Sequence, residues 1–256
     1  MDNKTIYEKF DWSKLKFEAL KGKIEKVVEF IPEGVTTIAD IGCGNGVITN
    51  ILGQQFEVTA VDRSAAALEF VETQKVQASA DNIPLPDNSF DLVFSSEMLE
   101  HLEDEVLKGT IAEMKRLSKK YIFITVPNDE NPDKLSIQCP ECKFIYNRPN
   151  HLRSFKLDSF KTLFAEYKTI RSLAFGNRTR YYSPNLLKLK KKISPASSWI
   201  PNYWISENDR KTICPHCEHE FNYTYRFHPF ASAVDVVNLI VSPKKPYWLF
   251  VLLERQ

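Results

Sequence analysis

The order of hydrophobic and polar positions near the start of the chain follows a helical period. Between Ser13 and Ile31, lysine and glutamate alternate with apolar residues that recur three or four positions apart. These residues are Leu20, Ile24, Val27, Val28 and Ile31. The pattern predicts an amphipathic helix, and Pro32 ends it because proline cannot continue a helix hydrogen-bond ladder.

Beyond Pro32 the pattern changes to short apolar runs that alternate with helix-length segments. We predict strands near residues 36–41, 56–62, 75–79, 90–95 and 121–126, and helices near residues 46–53, 64–72 and 104–117. Strands that alternate with helices of this length imply a parallel sheet covered on both faces. The predicted fold class is therefore α/β, with a doubly wound, mostly parallel sheet.

The second half of the chain carries a weaker pattern. Scattered prolines predict a loop from Pro127 to Arg153, after which we expect a helix near 157–167 and a strand near 169–175. Residues 176–228 do not show the pattern of a regular core. A short helix is predicted near 231–241, and residues 247–253 predict a fully buried final strand.

Composition narrows the classes of function. The chain has 256 residues, of which 43% are hydrophobic, and a net charge of +1. This suits one large globular domain, or a domain with an insertion, and argues against a protein that coats nucleic acid. No apolar run approaches the roughly 18 residues that suggest a membrane span, and the first residues lead into charged sequence. We therefore expect a cytoplasmic protein.

A glycine-rich turn follows the first predicted strand. Asp40 ends this strand region, and Gly42, Gly44 and Gly46 come at alternate positions before the next helix. A turn with so few side chains lets backbone N–H groups approach a ligand at a helix N-terminus. Its spacing departs from the dinucleotide fingerprint because the third glycine comes one residue early. Alone, the turn is equally well explained as a plain strand-to-helix connection.

Polar residues also follow the later strands. Asp62 ends the second strand, where a doubly wound sheet places a carboxylate for a ribose, although Asp62 or Ser64 could instead cap a helix. Asp81 follows the third strand in a segment that Pro84 and Pro86 also make a plausible turn. Since ligands of such sheets bind at the carboxyl ends of the strands, these positions converge on one crevice.

The motifs D-I-G-C-G-N-G, V-D, A-D-N-I-P-L-P and F-D-L-V-F-S, in this order and at these separations, resemble the class I S-adenosylmethionine-dependent methyltransferases over roughly residues 30–175. The resemblance implies a seven-stranded Rossmann-like sheet whose last strand runs antiparallel beside the sixth. It implies that Asp62 accepts hydrogen bonds from the ribose hydroxyls of the cofactor and that Asp81 accepts one from the adenine amine. The implied cofactor-binding residues are Asp40, Gly42, Cys43, Gly44, Gly46, Asp62, Arg63, Asp81, Asn82, Ile83, Ser95 and Ser96.

An acidic and histidine-containing cluster, Glu97, Glu100 and His101, follows the fourth strand. It resembles a motif of ubiquinone-biosynthesis O-methyltransferases and of small-RNA 2′-O-methyltransferases, where it helps to hold a divalent cation. In the RNA enzymes a later histidine completes the set, and His151 occupies a comparable place here. The alternative is a core histidine bonded to the backbone. Without a metal, His101 or His151 would be the general base. Arg153 is either an anion clamp or a surface residue paired with an acid.

Two matched cysteine motifs suggest a metal site. Cys139-Pro-Glu-Cys142 and Cys214-Pro-His-Cys217 each carry an aromatic residue and an asparagine at the same later positions. Four thiolates of this kind suit one tetrahedral zinc, whereas unrelated reduced thiols are the alternative. The fifth cysteine, Cys43, is interpreted as a packing residue. A closed four-thiolate site leaves no position open for chemistry, so the zinc is expected to be structural.

These observations predict three parts of the chain and one enzymatic function. Residues 1–32 form a leading helical segment, residues 33–175 and 243–256 the cofactor-binding core, and residues 128–150 and 176–242 insertions that build a zinc-stapled substrate lid. The expected function is methylation of a small-molecule acceptor, at a hydroxyl of a sugar, phenol or other metabolite. The alternative is metal-assisted RNA methylation, which the basic residues Arg178, Arg180 and Lys188–Lys192 would favour unless they form a solvated face.

Overall fold

The computed structural model describes residues 4–196, 210–225 and 227–256 of the chain. Its strands are β1 Thr37–Ile41, β2 Glu57–Asp62, β3 Gln74–Gln77, β4 Phe90–Ser96, β5 Ser118–Pro127, β6 Ser136–Gln138, β7 Ile145–Asn147, β8 Tyr167–Arg180, β9 Lys211–Ile213, β10 Glu220–Asn222 and β11 Lys244–Arg255. Its α-helices are α1 Lys4–Lys9, α2 Phe17–Phe30, α3 Thr49–Leu52, α4 Ala65–Leu68, α5 Asp104–Leu117, α6 Leu157–Leu163, α7 Pro184–Ile193 and α8 Pro229–Val241.

Seven strands form the central sheet, in the order β3-β2-β1-β4-β5-β11-β8. The first five strands pair in parallel, and β11 runs antiparallel to both of its neighbours, β5 and β8. The sheet confirms the predicted doubly wound α/β fold. The strand order reverses at β1 and β4, and ligands of such sheets bind outside the carboxyl ends of the strands at this point.

Alternate residues of the central strands feed two cores, one on each face of the sheet. Ile41, Val93 and Ile124 pack on the face that α5 covers, whereas Phe94, Phe123 and Phe250 pack with Val27 and Phe30 of α2 on the other. Strands buried on both faces read as continuous apolar runs, which is why the sequence revealed them.

Several predicted boundaries need correction. The first helix begins at Phe17 rather than near Ser13, and α3 and α4 have only four residues each, shorter than predicted. The predicted loop from Pro127 to Arg153 contains the β6–β7 hairpin, and residues 176–228 contain the end of β8, helix α7 and the β9–β10 hairpin. Strands of three residues are too short to show a hydrophobic period, so the sequence pattern missed both hairpins. No helix of the described residues is long and apolar enough to cross a membrane.

Asp91 ties the start of β4 to the start of β1. Its Oδ2 accepts from the backbone N–H groups of Thr36 and Thr37, both at 3.0 Å, and from the Thr36 hydroxyl at 2.8 Å, while Oδ1 accepts from Lys119 at 3.1 Å. Burial alone would raise the Asp91 pKa, but these hydrogen bonds outweigh it and hold the pKa well below its usual value.

We expect the Asp91→Asn substitution to lower the free energy of unfolding by about 1–3 kcal/mol near neutral pH, because charge-assisted hydrogen bonds are lost. Since the folded-state pKa is depressed, this stability is present above the unfolded pKa of about 3.9 and is lost as the pH falls below it. Urea unfolding at several pH values measures the effect. Glu72→Gln, at an exposed carboxylate, is the control, and a difference between wild type and Asp91→Asn that persists in acid would contradict the assignment.

Candidate active site

A cavity of about 1150 Å³ opens at the carboxyl ends of β1, β2 and β4. Its floor is the turn after β1, and its walls come from α1, α2 and the segment after β4. The side facing away from the sheet is lined by residues of both short hairpins, Tyr146, Lys211, Thr212, Ile213 and Glu220, and by Arg148. The cavity therefore runs without interruption from the glycine turn to the hairpins.

The glycine turn has a backbone that other residues would not tolerate. Gly42 and Gly44 have φ angles of +74° and +55°, in the left-handed region that favours glycine. A Cβ on Gly42 would lie 2.4 Å from Met98 Cγ, and one on Gly44 would lie 2.9 Å from the Trp12 ring. Since neither position leaves room for a side chain, the backbone of this turn forms the cavity floor.

Asp62 lies at the end of β2 and faces the cavity. Its carboxylate accepts from the N–H groups of Gly44 and Ser64, each at 2.9 Å, and burial raises its pKa. The helix-cap role that sequence left open falls to Ser64, whose hydroxyl accepts from Ala67 N–H at the start of α4. The Asp62 carboxylate is thus anchored by backbone on one side and borders the cavity on the other.

Asp40 is almost fully buried at the base of the same turn. Its Oδ2 accepts from the Thr49 hydroxyl at 2.6 Å, and burial raises its pKa to about 7. The nearby Asp62 charge adds to this rise. Asp40 therefore holds α3 against the turn and contributes a carboxyl that protonates near neutral pH.

The remaining predicted cofactor residues divide into two groups. Cys43, Arg63 and Ser96 line the cavity. Gly46, Asp81, Asn82, Ile83 and Ser95 do not line it. Asp81 accepts from the Ser79 hydroxyl and packs beside Gly109, Ser95 donates to the Ile41 carbonyl at 2.9 Å, and Ile83 is buried in the core. Ser79 and Ala80 line the cavity at the place that the sequence motif assigned to Asp81.

A buried lysine that the sequence reasoning missed also lines the cavity. Lys23 of α2 is 2% exposed and donates to the Ser96 hydroxyl at 2.9 Å, with Glu97 Oε1 at 3.1 Å. Its Nζ lies 5.1 Å from the centre of the Trp248 ring. The sequence did contain a signal for this residue, because Lys23 lies on the apolar face of α2, one turn from Leu20 and Val27. Lys23 fixes Glu97, which also accepts from Thr125 at 3.3 Å.

Three of the four predicted acid and histidine residues do come together. Ligand atoms of Glu100, His101 and His151 all lie within 4.8 Å of one another, and the two imidazole rings are 4.7 Å apart. His101 Nε2 lies 4.0 Å from Glu100 Oε1. Neither Glu100 oxygen has a hydrogen-bond partner among the described residues, although the side chain is buried. Glu97 is not part of this group, because Lys23 and Thr125 hold its carboxylate, but its charge adds to the burial that raises the Glu100 pKa.

Backbone and acid partners orient the two histidines. His101 Nδ1 lies 3.2 Å from the Asn150 carbonyl, which can only accept, so Nδ1 carries the proton of that hydrogen bond and Nε2 keeps its lone pair. Burial and the neighbouring His151 lower the His101 pKa to about 3, which keeps the imidazole neutral. His151 Nδ1 lies 2.6 Å from Glu130 Oε2, a partner that the sequence did not suggest. Of the two histidines, His101 lines the cavity.

Arg153 makes an ion pair instead of facing the cavity. Its Nη1 donates to Asp104 Oδ1 at 2.9 Å and its Nη2 to the Leu102 carbonyl. This matches the second of the two readings left open by the sequence, an arginine paired with an acid.

The structure assembles the four paired cysteines from the tips of two hairpins. Cys139 Sγ lies 3.7 Å from Cys217 Sγ, and Cys142 Sγ lies 3.6 Å from Cys214 Sγ. Zinc–sulfur bonds of about 2.3 Å place the corners of a tetrahedron about 3.8 Å apart, so these spacings suit four thiolates around one zinc.

The two cysteine turns also share a backbone conformation. In each turn the residue after the second cysteine, Lys143 or Glu218, has a positive φ, and its N–H donates to the carbonyl of the first cysteine. The N–H of each first cysteine in turn bonds a carbonyl five residues on, at 2.9 Å for Cys139 and 3.0 Å for Cys214. The sequence match therefore reflects two copies of one local structure.

Comparisons with known proteins agree with this geometry. A family model described as "Methyltransferase domain" matches residues 39–123. The chain is 28% identical to an uncharacterized protein of Methanocaldococcus jannaschii over 171 residues, covering 65% of this chain and 67% of that protein. It is 32% identical to an uncharacterized methyltransferase of Schizosaccharomyces pombe over 101 residues, covering 32% of this chain and 36% of that protein.

Solved structures share the fold at low sequence identity. An S-adenosylmethionine-dependent methyltransferase from Thermotoga maritima, described as a possible histamine N-methyltransferase, has a TM-score of 0.57 at 15% identity and full coverage of both chains. One from Archaeoglobus fulgidus has a TM-score of 0.56 at 17% identity, covering 93% of this chain and 94% of that one. At such identities the likeness establishes the fold.

Proposed function

Because residues 39–123 form a class I S-adenosylmethionine-dependent methyltransferase domain, we propose that the chain transfers a methyl group to a hydroxyl of a small-molecule acceptor. The observation that carries this proposal is the continuous cavity, which reaches from the glycine turn and Asp62 to His101 and the two hairpins. Its volume of about 1150 Å³ exceeds the range of about 300–1,000 Å³ that is usual for one bound small molecule. A cofactor and a small acceptor would fill it together.

The residues at the sheet side of the cavity fit the cofactor. Asp62 would accept from the two ribose hydroxyls, and the side-chain-free backbone of Gly42 to Gly44 would lie against the ribose and amino-acid portions. Asp40 supports this turn from below. When bound, S-adenosylmethionine supplies a methyl group on an electrophilic sulfonium. The protein needs only to align an acceptor with this group and to remove one proton.

His101 is our candidate for removing that proton. It lines the cavity beyond the glycine turn, and its Nε2 keeps a free lone pair. Burial lowers the pKa of the imidazole to about 3, which keeps this lone pair unprotonated but weakens it as a base. The hydrogen bond to the Asn150 carbonyl fixes the His101 ring, so the Nε2 lone pair points in a fixed direction. Lys23 holds Glu97 and Ser96 beside the same space and would position the acceptor rather than take its proton.

The cluster of Glu100, His101 and His151 also offers the donor types that bind a divalent transition metal. Such an ion would lie beside the acceptor and act as a Lewis acid. The RNA alternative drew on Glu97 as a fourth residue of this cluster, but Glu97 is bonded to Lys23 and Thr125. No described contact favours RNA as the acceptor, and the small-molecule proposal stands.

For the four cysteines we propose a closed, structural zinc site that joins the two hairpins. Their sulfur spacings support it, and residues of both hairpins line the outer part of the cavity. From the insertion 176–242, the described part that lines the cavity belongs to the β9–β10 hairpin, and α7 and α8 do not contribute. The described part of the proposed lid therefore consists of the two hairpins, with the zinc between them, whereas residues 197–209 and 226 of this insertion lie outside the described residues.

Transfer of a labelled methyl group from S-adenosylmethionine to a panel of phenols, sugars and short RNAs tests the proposed function. We expect label in hydroxylated small molecules, as methyl ethers by mass spectrometry. Label confined to RNA, or to nitrogen atoms of the panel, would refute the proposal.

The Asp62→Asn substitution should weaken the binding of S-adenosylhomocysteine by about 10–100-fold, since hydrogen bonds to a charged group contribute about 1.5–3 kcal/mol. Isothermal titration calorimetry measures the dissociation constant. Asp81→Asn is the matched control, and we expect a much smaller effect because the Asp81 side chain does not line the cavity. An unchanged dissociation constant for Asp62→Asn would remove Asp62 from the cofactor site.

A further inference from the structure

The solvent-facing side of helix α8 is apolar, whereas its polar residues face the protein. Its exposed positions follow a helical period and are all apolar: Pro229, Phe230, Ala233, Val236, Val237, Ile240 and Val241. Ile240 is 77% exposed and Phe230 is 70% exposed. Phe227, just before the helix, is exposed to 70% as well. Contiguous exposed apolar surfaces of this kind mark interaction sites on soluble proteins.

The inward face of α8 shows why the helix keeps this orientation. The buried Asp235 accepts from Lys190 of α7, at 2.8 and 2.9 Å, and from the Tyr182 hydroxyl at 2.6 Å. Asn238, also buried, donates to the Tyr181 carbonyl at 3.0 Å and accepts from Ser183 N–H at 2.9 Å. Turning the helix over would leave a buried carboxylate and amide without partners, so these contacts hold the apolar face outward.

Positive charge lies on the elements next to this apolar face. Residues 178–193 and 229–246 contain eight lysines and arginines, although the whole chain has a net charge of only +1. Three of them are ion-paired, namely Lys190 with Asp235, Lys191 with Asp133 and Lys245 with Asp129. Lys188 and Lys192 of α7 and Lys244 at the start of β11 are exposed. The surface that α7, α8 and the start of β11 form together, here called the α7–α8 surface, is therefore both apolar and cationic.

We propose that the α7–α8 surface binds an anionic lipid bilayer, with α8 lying in the plane of the interface. A bilayer interface takes up an apolar helix face, and anionic headgroups attract the lysines beside it. Nucleic acid would use the lysines and leave the apolar face in water. A second copy of the chain would meet like charge with like charge. The cavity lies elsewhere, since no described residue of α7 or α8 lines it.

The experiment is a vesicle sedimentation assay with the full chain. Vesicles of phosphatidylcholine are compared with vesicles that also contain phosphatidylglycerol, at low and at high salt. We expect binding to the anionic vesicles, little binding to phosphatidylcholine alone, and a loss of binding as salt rises. Reversing two charges with Lys188→Glu and Lys192→Glu should lower the partition coefficient at least about tenfold, since each interfacial lysine contributes about 1 kcal/mol.

Ile240→Glu tests the apolar half of the surface and should lower the partition coefficient by about tenfold or more. Phe70→Glu, at an exposed phenylalanine outside the α7–α8 surface, is the matched control and should bind as wild type does. Methyl transfer to a soluble acceptor should be unchanged in all these variants, and circular dichroism with urea unfolding verifies their folding. If Ile240→Glu fails to fold, the dependence of wild-type vesicle binding on lipid charge and on salt still tests the proposal.

Several outcomes would overturn the proposal. They are no binding to anionic vesicles at low salt, equal binding to both vesicle types, binding that Ile240→Glu and the lysine reversals leave unchanged, and a wild-type dimer in sedimentation equilibrium that Ile240→Glu converts to monomer. The last would assign the face to a second copy. Salt-sensitive RNA binding without vesicle binding would assign the lysines to nucleic acid and likewise overturn it.

Discussion

Replacing His101 with glutamine should lower kcat for methyl transfer by about 10²–10⁴-fold, because a positioned general base contributes about this much. Glutamine retains an amide N–H that can bond the Asn150 carbonyl, but it offers no basic nitrogen. Affinity for S-adenosylhomocysteine should stay near the wild-type value, since Asp62 and the glycine turn are untouched. Single-turnover kinetics and calorimetry measure the two quantities separately.

His228→Gln is the matched control for this substitution. His228 caps the start of α8, where its Nδ1 accepts from Ala231 N–H, and it does not line the cavity. We expect its kcat to equal that of the wild type. A His101→Gln variant that keeps wild-type kcat would exclude His101 as the base. A wild-type activity that depends on an added divalent cation while the four-cysteine zinc stays bound would make His101 a metal ligand instead.

The sheet was predictable because its signals are local. Strands buried on both faces give short apolar runs, and helix α5, with its apolar stripe of Leu107, Ile111 and Met114, was placed at its observed bounds. Gly42 and Gly44 were recognisable because a turn that admits no side chain requires glycine. The cysteine pairs belong to the same class, since each turn is one short, self-contained motif.

The contacts that shape the site were not predictable, because they join residues far apart in the chain. Lys23 reaches Glu97 from α2, and Glu130 reaches His151 across an intervening hairpin. No periodicity marks such pairs, and the structure alone shows that Lys23 and Thr125 hold the Glu97 carboxylate. For the same reason, the sequence could not show that Asp81 packs beside Gly109 while Ser79 lines the cavity.

The β6–β7 hairpin connects the proposed zinc site to the candidate base. Asn147, at the end of β7, donates to the His151 carbonyl at 2.6 Å and accepts from His151 N–H at 2.7 Å. Asn150, which directly precedes His151 in the chain, supplies the carbonyl that orients His101. The segment that follows the hairpin thus contributes to the orientation of the His101 ring, so we expect a change at the cysteines to reach the part of the cavity that His101 lines.

The Cys214→Ser substitution should remove zinc from the protein and loosen the β9–β10 hairpin, because structural zinc supplies about 10–16 kcal/mol to the folding of small metal modules. Misplacement of the hairpins should lower kcat/KM for the acceptor by about 10²-fold, as a shift of about 1 Å is sufficient for such a loss. Affinity for S-adenosylhomocysteine should be nearly unchanged, since its proposed contacts lie at the ends of β1 and β2. Elemental analysis, calorimetry and steady-state kinetics measure the three effects.

His216→Gln is the matched control, because His216 lies between Cys214 and Cys217 and stacks on Phe144 without belonging to the cysteine cluster. It should keep one zinc per chain and most of the activity. If Cys214→Ser lost cofactor and acceptor binding to the same extent, the zinc site would support the whole fold rather than the lid. Retention of zinc by Cys214→Ser would show that the four thiolates do not form the site. Because the hairpin residues line the cavity and are not among the proposed cofactor contacts at the ends of β1 and β2, selective loss of acceptor binding is the outcome that we expect.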